Sequence, residues 1–84
     1  MIILDVRTLE EFTGGHIIGA RNHDIMDMMQ GTFPNIPKDA NCIVYCESGN
    51  RSMMACTLLT QAGFSKVIDG GGVSDMVVKG YSLE

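Results

Sequence analysis

Cys46 and Arg51 flank the four-residue stretch Glu47-Ser48-Gly49-Asn50, where the chain concentrates groups able to do chemistry. The cysteine ends an apolar run, and polar, turn-forming residues follow at once. Gly49 and Asn50 tolerate positive φ, so the loop can curl with its N–H groups inward as an anion-binding nest. A helix beginning near Ser52 adds unpaired N-terminal N–H groups and the positive end of its dipole. Arg51, turned inward, adds a full positive charge. All three favour a sulfur anion over a neutral thiol, which makes Cys46 a candidate nucleophile.

The flanking segments supply the elements that must hold this loop. Cys42–Cys46, "CIVYC", is apolar throughout and reads as a strand covered on both faces. Met54, Ala55, Leu58, Leu59 and Ala62 recur at helical spacing over Ser52–Ala62, with Gly63 placed to cap the end. Upstream, "IILDV" (Ile2–Val6) is a buried strand. Thr8 and Glu11 stand at capping-box spacing before a very short helix that Gly14 and Gly15 close. His16–Asn22 passes from loop to a brief extended segment, and "DIMDMMQG" is a short helix capped by Asp24 and stopped at Gly31. The prolines mark "TFPNIPKDAN" as a surface connection. "KVID" is a short strand, "GGG" a turn and "VSDMVVKG" a last short helix. Alternating strands and helices in a short chain predict a small parallel sheet flanked by short helices. Ligands of such sheets bind beyond the carboxyl ends of the strands. Cys46 falls there.

Composition narrows the possibilities. A chain of 84 residues, 45% hydrophobic, is one globular domain near the lower limit for a single core. Six basic residues against ten acidic ones form no basic run, so nucleic acid and anionic membranes are not expected partners. Apolar runs are too short for a membrane-spanning helix. The opening "MIILDVR" lacks the plan of a signal peptide, and a cytoplasmic location is expected. The count of three cysteines is odd and low for a disulfide scaffold. Cys42 and Cys46 on one strand lie roughly 13 Å apart at ~3.3 Å per residue, about twice the Cα separation a disulfide tolerates. Cys42 and Cys56 read as core thiols. The C-x3-C spacing, with no histidine beside it, does not suit zinc.

The motifs together resemble one family. "YCESGNRS" is similar to the active-site loop of single-domain rhodaneses, which are sulfurtransferases. "LDVRTLEEFTGGHIIGARN" (Leu4–Asn22) resembles the family's opening signature, and "AGFSKVIDGGG" (Ala62–Gly72) its closing one. The resemblance implies a rhodanese-like α/β fold and a persulfide mechanism. Cys46 would take sulfur from thiosulfate, polysulfide or a persulfide and pass it to cyanide, a thiol or an acceptor protein. Glu47, Ser48, Gly49, Asn50 and Arg51 would form the substrate-binding loop, and no metal or organic cofactor is implied. Phosphatases of the same fold use C-x5-R, and the C-x4-R loop here makes a smaller cradle, suited to one sulfur atom. A docking module without catalysis is the alternative from another class, and it would need none of Cys46, Gly49 and Arg51.

Several positions depart from the family's pattern or invite a structural role. Glu47 stands where thiosulfate-using members often carry a basic residue, and its carboxylate should repel a dianionic donor. The family's usual N-terminal strand and helix are not in this chain, so an open sheet edge is expected. Met76 takes a place where tryptophan is frequent, as a core filler. Asp5, ending the first strand, is expected either to pair with Arg51 and fix the loop or to cap a helix. Arg7 and Glu11 are expected to form a structural ion pair, and His16 to order its loop through backbone bonds. Met53 and Met54, beside the loop, are candidates for a substrate-facing surface.

Overall fold

The computed structural model describes all residues, 1–84. Its centre is β3 (Cys42–Cys46), every residue of which is buried. β1 (Ile2–Asp5) runs parallel to it with Ile2 opposite Cys42 and Asp5 opposite Tyr45. β2 (Arg21–Asn22) pairs with the outer side of β1, and β4 (Val67–Gly72) with the other side of β3. All pairs are parallel, and the strand order is β2-β1-β3-β4. The sheet, with α1 (Leu9–Thr13), α2 (Ile25–Met29), α3 (Asn50–Gln61) and α4 (Val73–Val78), is the small α/β fold that the alternation predicts.

Alternation along β3 divides the core. Cys42, Val44 and Cys46 point to one face, where they pack with Leu4, Val6, Ile25, Met28, Ala55, Leu59 and Phe64. This larger core lies beneath α2 and α3, and burial of each large aliphatic chain in it contributes roughly 1.5–3 kcal/mol. Ile43 and Tyr45 point to the other face and meet Ile17 and Met76. Met76 is fully buried there, as a core filler should be.

Local chemistry sets the element ends. Thr8 Oγ1 accepts from the Glu11 N–H at 3.2 Å, and Glu11 Oε1 accepts from the Thr8 N–H at 3.2 Å, completing the capping box. Asp24 caps α2 through the Met26 N–H. α3 begins at Asn50, two residues before the expected Ser52, because Gly49 takes φ 101° and turns the chain straight into the helix.

The glycines after Asp69 belong to β4 and do not form the expected turn. Val44 pairs with Asp69 but Tyr45 with Gly71, so Gly70 is the extra residue of a bulge. A side chain on Gly72 would place its Cβ 2.6 Å from the Glu47 carbonyl oxygen. Glycine is what lets the strand continue against the Cys46 loop.

Candidate active site

Cys46 sits at the carboxyl end of β3, fully buried, directly before the loop. Its Sγ accepts two backbone hydrogen bonds, from the Gly49 N–H at 3.0 Å and the Ser52 N–H at 3.2 Å. These donors flank the first residues of α3, a 12-residue helix whose positive dipole end faces the sulfur. The expected nest therefore takes the form of two amides and a helix terminus. Both favour negative charge on sulfur.

The loop is fastened to β4. The Val73 N–H donates to the Glu47 carbonyl at 3.2 Å, and Ser48 forms a bridge with Gly72. The buried Ser52 hydroxyl lies 2.8 Å from Asp69 Oδ1 and 3.0 Å from the Gly49 carbonyl, and its one proton serves these two acceptors. The same Asp69 oxygen accepts from the Gly71 N–H at 2.9 Å. Ser52 and Asp69 thus hold an amide against Sγ. Sequence spacing offers no sign of that contact across 17 residues.

The ion pairs differ from expectation. Asp5 does not reach Arg51. Its carboxylate accepts from Arg7 Nε and Nη2, the latter at 2.7 Å, and from the Tyr45 hydroxyl at 2.7 Å. Arg7 lies only two residues along the same chain turn and is drawn into the interior with it. The bond to Asp5, first among the causes, holds the Arg7 guanidinium well above its ordinary pKa, against desolvation by burial. Arg7 also donates to Glu47 Oε1 at 3.1 Å and to the Gly15 carbonyl at 2.8 Å.

Arg7 and Glu11 do not pair with each other. Glu11 instead receives Arg51 through both oxygens, at 2.6 and 2.9 Å. That bond, aided by the Thr8 cap, brings the Glu11 carboxyl down from 4.5 to about 2, against desolvation. Arg51 is raised chiefly by the same contact, with further attraction from Glu11 and Cys46. Glu11 therefore serves as helix cap and as clamp on the loop arginine. The capping motif showed only the first role.

The remaining predicted residues divide simply. Ser48 and Asn50 are exposed, and Gly49 supplies both the turn and one amide to Sγ. Glu47 is exposed but leans on Arg7, not on the thiol. The other thiols are free: Cys42 is buried and raised by desolvation, and Cys56, half-buried in α3, is pushed up to about 12 by the same cause. His16 orders its loop by donating from Nδ1 to the Phe12 carbonyl at 2.8 Å while stacking on the Phe12 ring, but its Nε2 meets the Glu84 carboxylate and not backbone. No three His, Cys, Asp or Glu side chains converge in a metal-binding arrangement. A groove of about 430 Å³ opens beside the loop, lined by Ile25, Met26, Met29 and Met54 together with the loop residues Asn50 and Arg51.

Residues 1–74 match the sequence model of the rhodanese-like domain. The chain belongs to the rhodanese-like family. The thiosulfate sulfurtransferase GlpE of Pseudomonas putida strain GB-1 is 40% identical over 75 residues, covering 83% of this rhodanese-like chain and 64% of the relative. The chain thus spans a little under two-thirds of that relative's length. The chloroplastic thiosulfate sulfurtransferase 16 of Arabidopsis thaliana is 40% identical over 90 residues, covering 94% and 69% of the two chains. Among solved structures, the rhodanese_3-like domain of the Anabaena Alr3790 protein superposes with TM-score 0.86 at 30% identity, covering 100% of this chain and 98% of its own. No helix of this rhodanese-like domain is long and apolar enough to cross a membrane.

Proposed function

We propose that this rhodanese-like domain is a sulfurtransferase in which Cys46 carries the transferred sulfur. The single observation that supports this most is the pair of amides, Gly49 and Ser52, donating to Sγ at a helix N-terminus. The Cys46 thiolate attacks the outer sulfur of thiosulfate, the S–S bond breaks, and sulfite leaves with the electron pair. The product is the anion Cys46–S–S⁻. An S–S bond of about 2.05 Å carries the new sulfur beyond the shielded Sγ, where loop amides stabilise its charge as an oxyanion hole would. Cyanide or a thiolate then attacks that outer sulfur, leaving as thiocyanate or a persulfide and restoring the thiolate.

Arg51, clamped by Glu11, adds positive potential near the sulfur. Glu47, with Arg7, Asp5 and Tyr45 behind it, fixes the loop's entry. Thiosulfate sulfurtransferase is the name of the sequence relatives, and the carboxylate of Glu47 favours less negatively charged donors here. Three free thiols suit a reducing compartment, and the cytoplasm is the location we infer.

Intact mass spectrometry after incubation with thiosulfate or inorganic polysulfide tests the reading. Wild type should gain one sulfur, lose it to cyanide, and Cys46→Ser should gain none. A wild-type protein that stays unloaded with both donors refutes it.

A further inference from the structure

Three of the four apolar side chains lining the groove beside the Cys46 loop are exposed methionines: Met26, Met29 and Met54 are 54%, 56% and 51% exposed, while Ile25 is buried. Large apolar side chains held half in water are costly, and clustered around one concavity they mark a binding surface. Methionine also adapts its shape to varied apolar partners. Asn50 and Arg51, the residues lying between the two amides that donate to Cys46 Sγ, also line the groove. The groove therefore borders the loop that holds the sulfur, through these two residues.

Its size and charge select the occupant. A volume of about 430 Å³ suits one organic molecule and far exceeds the needs of a thiosulfate ion. It is small for a protein partner, since eight residues line it and stable protein contacts use roughly 20–30 residues on each side. Arg51 is matched by Glu11, and Asp24 is committed to the Met26 N–H, so no free cation waits for an anionic body. Glu47 adds a further carboxylate to the loop.

From this geometry we infer that the methionine groove is a subsite for the apolar body of a small organic thiol or persulfide, R–SH or R–S–SH. The inference rests on the sulfurtransferase reading above. In the donor direction, the Cys46 thiolate attacks the terminal sulfur of R–S–SH and the S–S bond breaks. The R–S⁻ leaving group takes the electron pair and the proton, giving R–SH and Cys46–S–S⁻. The acceptor direction is the reverse of the same step, so R occupies the same groove both ways.

The experiment loads Cys46 with inorganic polysulfide and measures discharge by alkanethiols from ethanethiol to hexanethiol. Rates should rise about two- to threefold per methylene, below the roughly fourfold of complete burial. In Met29→Glu and Met54→Glu that rise should flatten, and in Met29→Leu it should persist. The slope is a ratio within each variant, so differences in the amount of folded protein cancel. A flat wild-type response overturns the inference, as does a slope that both Glu variants retain. A flat response with faster discharge to a cysteine-containing peptide also overturns it and places a protein segment over the methionines. Failure of wild type to load with polysulfide removes the sulfurtransferase reading itself.

Discussion

Two arginines hold carboxylates near Cys46, and they do so under opposite conditions. Arg7 and Asp5 meet in the interior, their side chains 5% and 0% exposed, with Tyr45 and the Gly15 carbonyl completing the hydrogen bonds. Arg51 and Glu11 meet at the surface, 37% and 32% exposed. The buried pair cannot lose one partner without leaving an uncompensated charge among apolar groups. The surface pair is screened by water and contributes little to folding. Similar chemistry thus serves construction in one place and, under the proposed function, tuning of the reaction in the other.

The sharpest way to break this contrast is to remove each carboxylate in turn. Asp5→Ala should cost about 3–5 kcal/mol, a large part of the roughly 4–13 kcal/mol expected for a domain of this size. Urea unfolding should show the loss. Glu11→Gln, by contrast, should cost under about 1 kcal/mol. If the two losses are equal, the division between construction and tuning fails. Arg51→Ala should leave unfolding nearly unchanged while slowing sulfur loading of Cys46 at least tenfold, in the range of a lost electrostatic contact to a reacting anion.

A pH titration sharpens the surface half of the comparison. Glu11 binds a proton near pH 4.5 in the unfolded chain but only near 2 in the folded one. Its contribution is therefore complete above about 4.5 and is lost as pH falls toward 2, because there the unfolded state takes up the proton first. Glu11→Gln should flatten that part of the acid limb in thermal melts at low pH. The smallest effect belongs to Glu47→Gln. Removing a carboxylate that is 59% exposed should lower the KM for thiosulfate about twofold to threefold, an advantage that added salt should erase. An unchanged KM at low salt would show that Glu47 does not influence the donor.

What the sequence made legible was local. The apolar run Cys42–Cys46, the helical spacing after it and the Thr8–Glu11 box all act within a few residues; β3 and α1 stand where those patterns put them, and α3 starts two residues early. The position of Cys46 at a strand's end followed from the same local signals. The ion-pair partners were not legible, because Arg51 and Glu11, like Arg7 and Glu47, are separated by 40 residues. Nothing nearby shows which carboxylate each arginine will meet. The glycines of β4 misled for a related reason. Three in succession suggest a turn, yet they extend the strand, and glycine is needed there because Met76, Asp75 and the Glu47 carbonyl occupy the space where side chains would stand. Tyr45 read as one more apolar residue of β3, and only the folded sheet brings its hydroxyl to Asp5 and the Ile17 N–H.

The character of the other two thiols has a consequence for traffic within the molecule. Cys42 and Cys56 are kept as uncharged S–H groups at neutral pH, the second by a pKa pushed up to about 12. Under the proposed function, neither competes as a nucleophile for a sulfur carried at the end of β3. The domain would then be wired as a single insulated terminal: cargo arrives at one sulfur, waits there, and departs to the outside without straying to a neighbour in the same chain.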